Sequence, residues 1–365
     1  MRQAEVHEQT SERASISSLS EPGLNPYLDL LYRSLEEAGV RVGPRGSLHL
    51  RWLVAHRRDV RYLHVNWPES LYRVHGGPSR LRPYTSWVKL ALLRVRLRVA
   101  RALGYRLVWT VHQVYPHGSN ARLDRAGSRL LARSADLLLA HDVETAARAR
   151  AELAPRLETV EVVPHGSYVG VYPPGRERGE VRRELGVPER AVVYLSFGEL
   201  RANSEVATLL EAFGRLAVDS AALVVAGHAK DRRIGAAVAA AVAADPRIVR
   251  IEGFVPVQRV RELYDAADVA VLPRTDGGTS GSLILALSLG LPVVVADTPA
   301  YRRLVGDGAA GWLFGPGDAL ELLAALEAAG RDDASRTERA SAARRVAAAL
   351  DWSEAARQIA SLLPK

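Results

Sequence analysis

Residues 268–282 read Asp-Val-Ala-Val-Leu-Pro-Arg-Thr-Asp-Gly-Gly-Thr-Ser-Gly-Ser, followed by the apolar run Leu283–Leu289 and by Gly290-Leu-Pro-Val-Val-Val-Ala296. The order is a short buried strand, a glycine-rich loop, a helix opening at Thr279-Ser280-Gly281-Ser282, and a second buried strand. Unpaired N–H groups and the positive end of the dipole at a helix start suit an anion, and glycines let backbone approach it. This is the layout of a phosphate site.

Outward from this stretch the same alternation continues. Apolar strand-like runs at 191–197, 222–226, 248–251, 269–272 and 292–296 are separated by helical patterns at 204–216, 234–244, 257–266 and 282–289. Towards the N-terminus, helical patterns at 27–38, 86–103 and 122–134 alternate with strands at 60–65, 107–111, 135–140 and 160–163. Short β-rich runs between helices predict parallel sheets covered on both faces. The expected fold class is α/β: two Rossmann-like doubly wound domains facing across a cleft, with ligands beyond the strand C-termini. The Pro, Gly and charge-rich segment 172–180 reads as the linker. The expected organisation is a flexible tail over 1–20, a first domain over 21–175, a second over 181–345, and a C-terminal helix within 346–365 that packs back towards the first domain.

The 365 residues suffice for two cores. There is no cysteine, so chemistry rests on carboxylates, histidine, hydroxyls, arginine and backbone. The N-terminus is polar and no long uncharged apolar run occurs, which places the chain in the cytoplasm, at most peripheral to a membrane. The net charge of +8 is uneven: residues 1–180 hold 27 Lys and Arg against 18 Asp and Glu, and the remainder 22 against 23. Arg94, Arg98 and Arg101 recur along one helical stripe beside Leu90, Leu93 and Leu97. A solvated helix face is the plain reading. The sharper one is an anionic membrane surface or a lipid-linked acceptor. Nucleic acid is not expected, because no zinc spacing, helix-turn-helix pattern or aromatic RNA-binding motif accompanies the charge.

Taken in order, several segments resemble the two-Rossmann (GT-B) nucleotide-sugar glycosyltransferases, specifically the retaining family 4 type. In the second domain these are Phe197-Gly198, Thr208-Leu-Leu-Glu-Ala-Phe213, Val224-Val-Ala-Gly227, Gly253-Phe-Val-Pro256, Leu263-Tyr-Asp-Ala-Ala-Asp268, Ala286-Leu-Ser-Leu-Gly-Leu-Pro292 and Gly311-Trp-Leu-Phe314. In the first domain Asn25-Pro-Tyr27, Leu63-His-Val-Asn-Trp-Pro-Glu69, Thr110-Val-His-Gln113, Pro116-His117 and Val163-Pro-His-Gly-Ser-Tyr168 look like one bacterial branch of that family. Two departures stand out. The family's paired glutamates fall on Leu285 and about Gly277, and its diphosphate-neutralising Arg and Lys fall on Glu199 and Ser204, leaving Arg201 nearby.

The resemblance implies a nucleoside diphosphate sugar as donor substrate, a hydroxyl acceptor, no cofactor and no metal. It assigns donor contacts to Gly198, Arg201, His228, Phe254, Val255, Thr279, Ser280, Gly281 and Ser282, and chemistry to His112 and Arg201. Acceptor contacts fall on Asn25, Tyr27, Trp67, Glu69, His117 and His165. Each has a plainer reading. Thr279 or Ser280 is a helix cap, Arg201 a surface ion pair, Phe254 a core ring, His228 a solvated turn, and His112 a structural histidine. The histidines lack the spacing or carboxylate partners of a metal site. The expected reaction is sugar transfer with retention at the anomeric carbon. The rivals are an epimerase or hydrolase of the same fold and a non-catalytic partner of an active transferase.

Overall fold

The computed structural model describes residues 15–21, 23, 25–74, 76, 78, 80–116, 121–218, 220–275 and 278–364. The chain divides into two compact units, Met1–Pro164 with Trp352–Lys365, and His165–Asp351.

Unit 1 runs β1 (Ser15–Ser18), α1 (Tyr27–Glu37), β2 (Arg41–Val42), α2 (Leu50–His56), β3 (Tyr62–Val65), α3 (Glu69–Tyr72), α4 (Arg82–Ala102), β4 (Arg106–Val111), α5 (Ala121–Ser134), β5 (Leu137–Ala140), α6 (Val143–Leu153) and β6 (Glu161–Val162). Its six strands are parallel in the order β2-β1-β3-β4-β5-β6. Trp109 and Val111 face a core shared with Leu90, Leu93 and Leu97 of α4 and Leu131 of α5. The other face packs Leu28, Leu31 and Leu35 of α1 with Ala355, Ala356 and Ile359 of the C-terminal helix, which groups with this unit.

Unit 2 contains α7 (Arg178–Glu184), β7 (Val192–Phe197), α8 (Asn203–Gly214), β8 (Ala221–Gly227), α9 (Arg232–Ala244), β9 (Ile248–Glu252), α10 (Val257–Ala266), β10 (Val269–Leu272), α11 (Gly281–Ser288), β11 (Val293–Ala296), α12 (Pro299–Leu304), β12 (Gly311–Phe314), α13 (Ala319–Arg331) and α14 (Asp333–Ala349). The chain then ends in α15 (Trp352–Leu362) of unit 1. The unit 2 sheet is parallel in the order β12-β11-β10-β7-β8-β9. β8 and β10 are apolar along their whole buried length, and β7 is so apart from Ser196, as a sheet covered on both faces requires. Asp268, at the entry to β10, is a structural residue: it accepts from the Val193 amide at 2.8 Å and from the buried Arg182 at 2.7 Å, tying α7 to the sheet.

Two expectations need correction. Residues 15–18, assigned to the tail, form β1 between β2 and β3, with Ile16 fully buried. The segment 172–180 is not the boundary. The division falls after Pro164 and again after Asp351, and residues 178–180 already belong to α7.

Candidate active site

In each sheet the strand order reverses once, between β7 and β10 in unit 2 and between β1 and β3 in unit 1. A crevice beyond the strand C-termini opens at such a switch point. The residues singled out in the sequence concentrate at these two places.

In unit 2 the ends of β7, β8 and β9 approach one another with very little side chain between them. Gly198 has φ +118°, and a Cβ there would lie 3.0 Å from Ser282 Oγ at the start of α11. Gly227 has φ +149°, and a Cβ there would stand 1.8 Å from the Gly198 carbonyl oxygen. Only glycine fits, on conformational and on steric grounds. Beyond these glycines Leu200 bridges to Ala229, and the Gly253 amide donates to the Gly227 carbonyl at 3.3 Å. The structure therefore brings Gly198, Arg201, His228, Phe254 and the α11 N-terminus to one end of one sheet.

Ser280 Oγ accepts from the Leu283 amide at 3.3 Å, so this hydroxyl caps the helix, as its plain reading has it. Thr279, Gly281 and Ser282 are part-exposed beside it, and Leu285 is buried on the inner side of α11. About Gly277, the other position of the expected glutamate pair, lies outside the described residues. Phe254 is not a core ring: it is 70 % exposed and stacks on His228 at 5.2 Å between centroids and 15° between planes. Val255 beside it is half-buried. Between β7 and β10 a shallow pocket is walled by Phe197, Glu199, Arg201, Glu205, Leu272 and Arg274. Arg201 Nε donates to Glu199 Oε2 at 2.9 Å, and the Thr275 amide to Glu205 Oε1 at 3.1 Å. Two carboxylates thus sit among the two guanidiniums of this pocket.

Unit 1 gathers an aromatic and imidazole cluster at the ends of β3, β4 and β5. Ser20 Oγ accepts from the Asn66 amide at 2.9 Å, joining the ends of β1 and β3. His112 stacks on Trp67 at 5.0 Å and 13°, and its Nε2 lies 3.2 Å from Asn66 Oδ1. Tyr27 is buried and packs edge-on against Trp67, His112, His141 and Trp352. Its expected contact with acceptor is corrected on that ground. The Tyr27 hydroxyl holds His141 Nε2 at 2.9 Å, while His141 Nδ1 meets the Val163 carbonyl at 2.9 Å. An Nδ1–H donated to the carbonyl leaves Nε2 to accept from Tyr27, the neutral tautomer. Burial favours the same form by lowering the His141 pKa. His64, between Tyr32 and Thr110 hydroxyls at 2.9 Å each, is pushed down to about 3, first by burial and then by the neighbouring His141.

Asn25 Oδ1 accepts from the Tyr27 amide at 3.0 Å and so opens α1. Among the described residues, Asn66 Nδ2 and Glu69 Oε2 are buried without a hydrogen-bond partner, a donor and an acceptor of the kind a bound polyhydroxyl molecule satisfies. His117 lies outside the described residues. His165 groups with unit 2, buried and edge-on to Tyr168, which corrects its expected place in the first domain. His141, Asn66 and Trp352 were not picked out as site residues. For His141 a signal existed, since it follows the strand 137–140 directly, as His112 follows β4.

The model of the family described as glycosyl transferases group 1 matches residues 191–332. The chain is 29 % identical over 290 residues, covering 80 % of itself and 75 % of the relative, to the GDP-mannose:glycolipid 4-beta-D-mannosyltransferase of Xanthomonas campestris pv. campestris. Residues 191–332 are a glycosyl transferases group 1 domain, in a chain of the GT-B fold. A second relative of this glycosyltransferase, the D-inositol 3-phosphate glycosyltransferase of Geodermatophilus obscurus, is 35 % identical over 202 residues, 52 % of this chain and 44 % of that one. Among solved structures, the sucrose-phosphate synthase of Thermosynechococcus elongatus superposes with a TM-score of 0.72 at 16 % identity, covering 96 % and 98 % of the two chains. At that identity the likeness is one of fold.

Proposed function

We propose that this glycosyltransferase takes a hexosyl group from a nucleoside diphosphate sugar bound by unit 2 and places it on a hydroxyl of a lipid-linked or glycan acceptor bound by unit 1. The reading has it working on the cytoplasmic side, peripheral to a membrane. One observation carries it: the ends of β7 and β8 are stripped to backbone at Gly198 and Gly227 against the start of α11. A diphosphate needs that close approach to amides and to a helix N-terminus. The exposed Phe254–His228 stack supplies a flat surface for the base.

In this mechanism the departing diphosphate gathers negative charge, which the α11 start and Arg201 stabilise with no metal ion assigned. Arg201 is engaged by Glu199, so the donor's phosphates have to win it from that carboxylate. His112 and the buried Asn66 amide are assigned to the hydroxyls of the transferred sugar. With front-side displacement, the leaving oxygen takes the acceptor proton and configuration is retained.

A second stereochemical reading has its own support. The Xanthomonas relative's name specifies a β-mannoside, and the family's glutamate position on α11 is Leu285 here. In-line attack on an α-linked donor gives a β product and needs a base for the acceptor hydroxyl. His112 is the side chain then assigned to it. The test is turnover of a panel of UDP-, GDP-, dTDP- and ADP-sugars with glycolipid acceptors. Released diphosphate and a glycoside of defined anomeric configuration are the expected result, and the configuration separates the two stereochemical readings. Free sugar or an epimer without acceptor overturns transfer.

A further inference from the structure

Helix α4 is apolar on two faces. Leu90, Leu93, Leu97 and Ala100 point into the unit 1 core. A second stripe, Leu81, Tyr84, Val88, Leu92 and Val95, spaced by three and four residues, faces solvent, with Tyr84 72 % and Val88 61 % exposed. A contiguous apolar stripe of this kind marks an interaction surface. Cations border it: Arg82 and Arg96 on one edge, Arg94, Arg98 and Arg101 on the other.

On that second edge the helix forms one wall of an open cavity of about 490 Å³, lined by six arginines, Arg94, Arg98, Arg101, Arg106, Arg129 and Arg133, against one carboxylate, Asp136. Asp136 is shared among Arg101 at 3.0 Å, Arg106 at 3.4 Å and Arg156 at 3.2 Å. Arg129 donates to the Glu152 carbonyl. Among the described residues, Arg94, Arg98 and Arg133 pair with no carboxylate. So many cations about one cavity repel each other unless an anion enters. The cavity sits where β4 begins, at the opposite end of the sheet from Trp67 and His112.

We propose that α4 is the face on which unit 1 rests on an anionic phospholipid bilayer, its solvent-facing stripe entering the interface and the arginine cavity receiving a lipid headgroup phosphate. Apolar residues flanked by cations are what a helix lying in the interface plane presents. Guanidiniums without carboxylate partners suit phosphate oxygens. The stripe argues for a bilayer over a soluble anion, which would engage the cavity alone. The 21-residue helix is about 30 Å long and runs back from the cavity towards α3, so the docked helix carries Glu69 and Trp67 near the surface where a lipid-linked acceptor lies. The inference rests on the peripheral-membrane part of the proposed function and adds the surface and the headgroup site.

The experiment is flotation of the full chain with phosphatidylcholine vesicles, with and without phosphatidylglycerol. Wild-type chain is expected to float only with the anionic vesicles, and less at high salt. Arg94→Ser/Arg98→Ser/Arg133→Ser should weaken this about a hundredfold, at about fivefold per arginine. Val88→Asp should weaken it too, while both variants keep the wild-type midpoint of tryptophan emission in denaturant, which shows unit 1 folded, since five of the six tryptophans lie there. A control of equal charge loss, Arg33→Ser/Arg150→Ser/Arg190→Ser, should float nearly as wild type. Equal loss in cavity and control variants overturns the headgroup site and leaves membrane association standing. Absence of flotation by the wild-type chain, or a soluble dimer dissolved by Val88→Asp, overturns the docking face and the peripheral reading, while transfer to a soluble acceptor stands.

Discussion

Glu199 stands where the resembling family places a cation, and its effect reaches the donor through Arg201. The pair is half-exposed, so its own strength is modest, about 0.2–1 kcal/mol. Its consequence for binding is larger than that figure suggests, since the carboxylate both occupies the guanidinium and repels the incoming diphosphate. Glu199→Gln should therefore tighten nucleoside diphosphate binding, about threefold to fivefold, and Arg201→Ala should weaken it about tenfold to a hundredfold, as loss of a charge-assisted hydrogen bond. Calorimetry with UDP and GDP at low salt checks both. Weaker binding by the Glu199→Gln variant would mean that the carboxylate positions Arg201 for the ligand. Both residues were legible at this scale from their offset after a strand end. The fate of Phe254 was not, because an aromatic after a strand reads as core until one knows that its strand lies at the sheet edge. β9 is that edge strand, and the ring lies open beside His228.

Elements were legible where apolar residues carried a clear period and hidden where hydrogen bonding alone held them. α10 and β10 are found at their predicted bounds because hydrophobic alternation and flanking turn residues agree. β1 offers one apolar residue, Ile16, among serines. It is a strand because β2 and β3 supply its backbone partners and Ser15 Oγ accepts from the Arg61 amide at 3.0 Å. No window over residues 15–18 reveals that, since the information lies some 25 to 45 residues away. α15 is the opposite case, short but strongly amphipathic. It buries Ala355, Ala356 and Ile359 against α1, and the Tyr62 hydroxyl reaches back to the Pro364 carbonyl. Ile359→Ala should cost unit 1 about 2–5 kcal/mol. Deleting residues 352–365 should unfold unit 1, because the lost burial approaches the whole stability of a domain, about 5–15 kcal/mol. Limited proteolysis should then cut unit 1 while residues 165–351 resist and keep their thermal shift with nucleoside diphosphates. Equal susceptibility of both units would show that α15 also stabilises unit 2.

At the scale of the whole molecule, burial holds His64 and His141 neutral, and both of these described residues lie in unit 1, so acid should weigh on that unit. The sign follows from the direction of the shift. An unfolded histidine takes a proton near pH 6.5, whereas folded His64 resists until about 3. Below pH 6.5 the unfolded state binds the extra proton, so the stability of unit 1 is complete above that pH and falls across the window from 6.5 towards 3. For His64 the slope approaches about 1.4 kcal/mol per pH unit, which removes about 2 kcal/mol between pH 7 and 5. His141 acts in the same direction. Five of the six tryptophans, at 52, 67, 87, 109 and 352, belong to unit 1, which makes emission during denaturant unfolding chiefly its reporter. The midpoint of that signal should move to lower denaturant on acidification. Hydrogen exchange corrected for intrinsic rates should show β3, β4 and β5 losing protection between pH 7 and 5, while β7, β8 and β10 lose less. His64→Gln, which keeps a donor and an acceptor between Tyr32 and Thr110 without titrating, should flatten the slope even where it lowers stability at pH 7. A parallel loss in both sheets, or an unchanged slope in the glutamine variant, would show that acid acts through the carboxylate ion pairs instead.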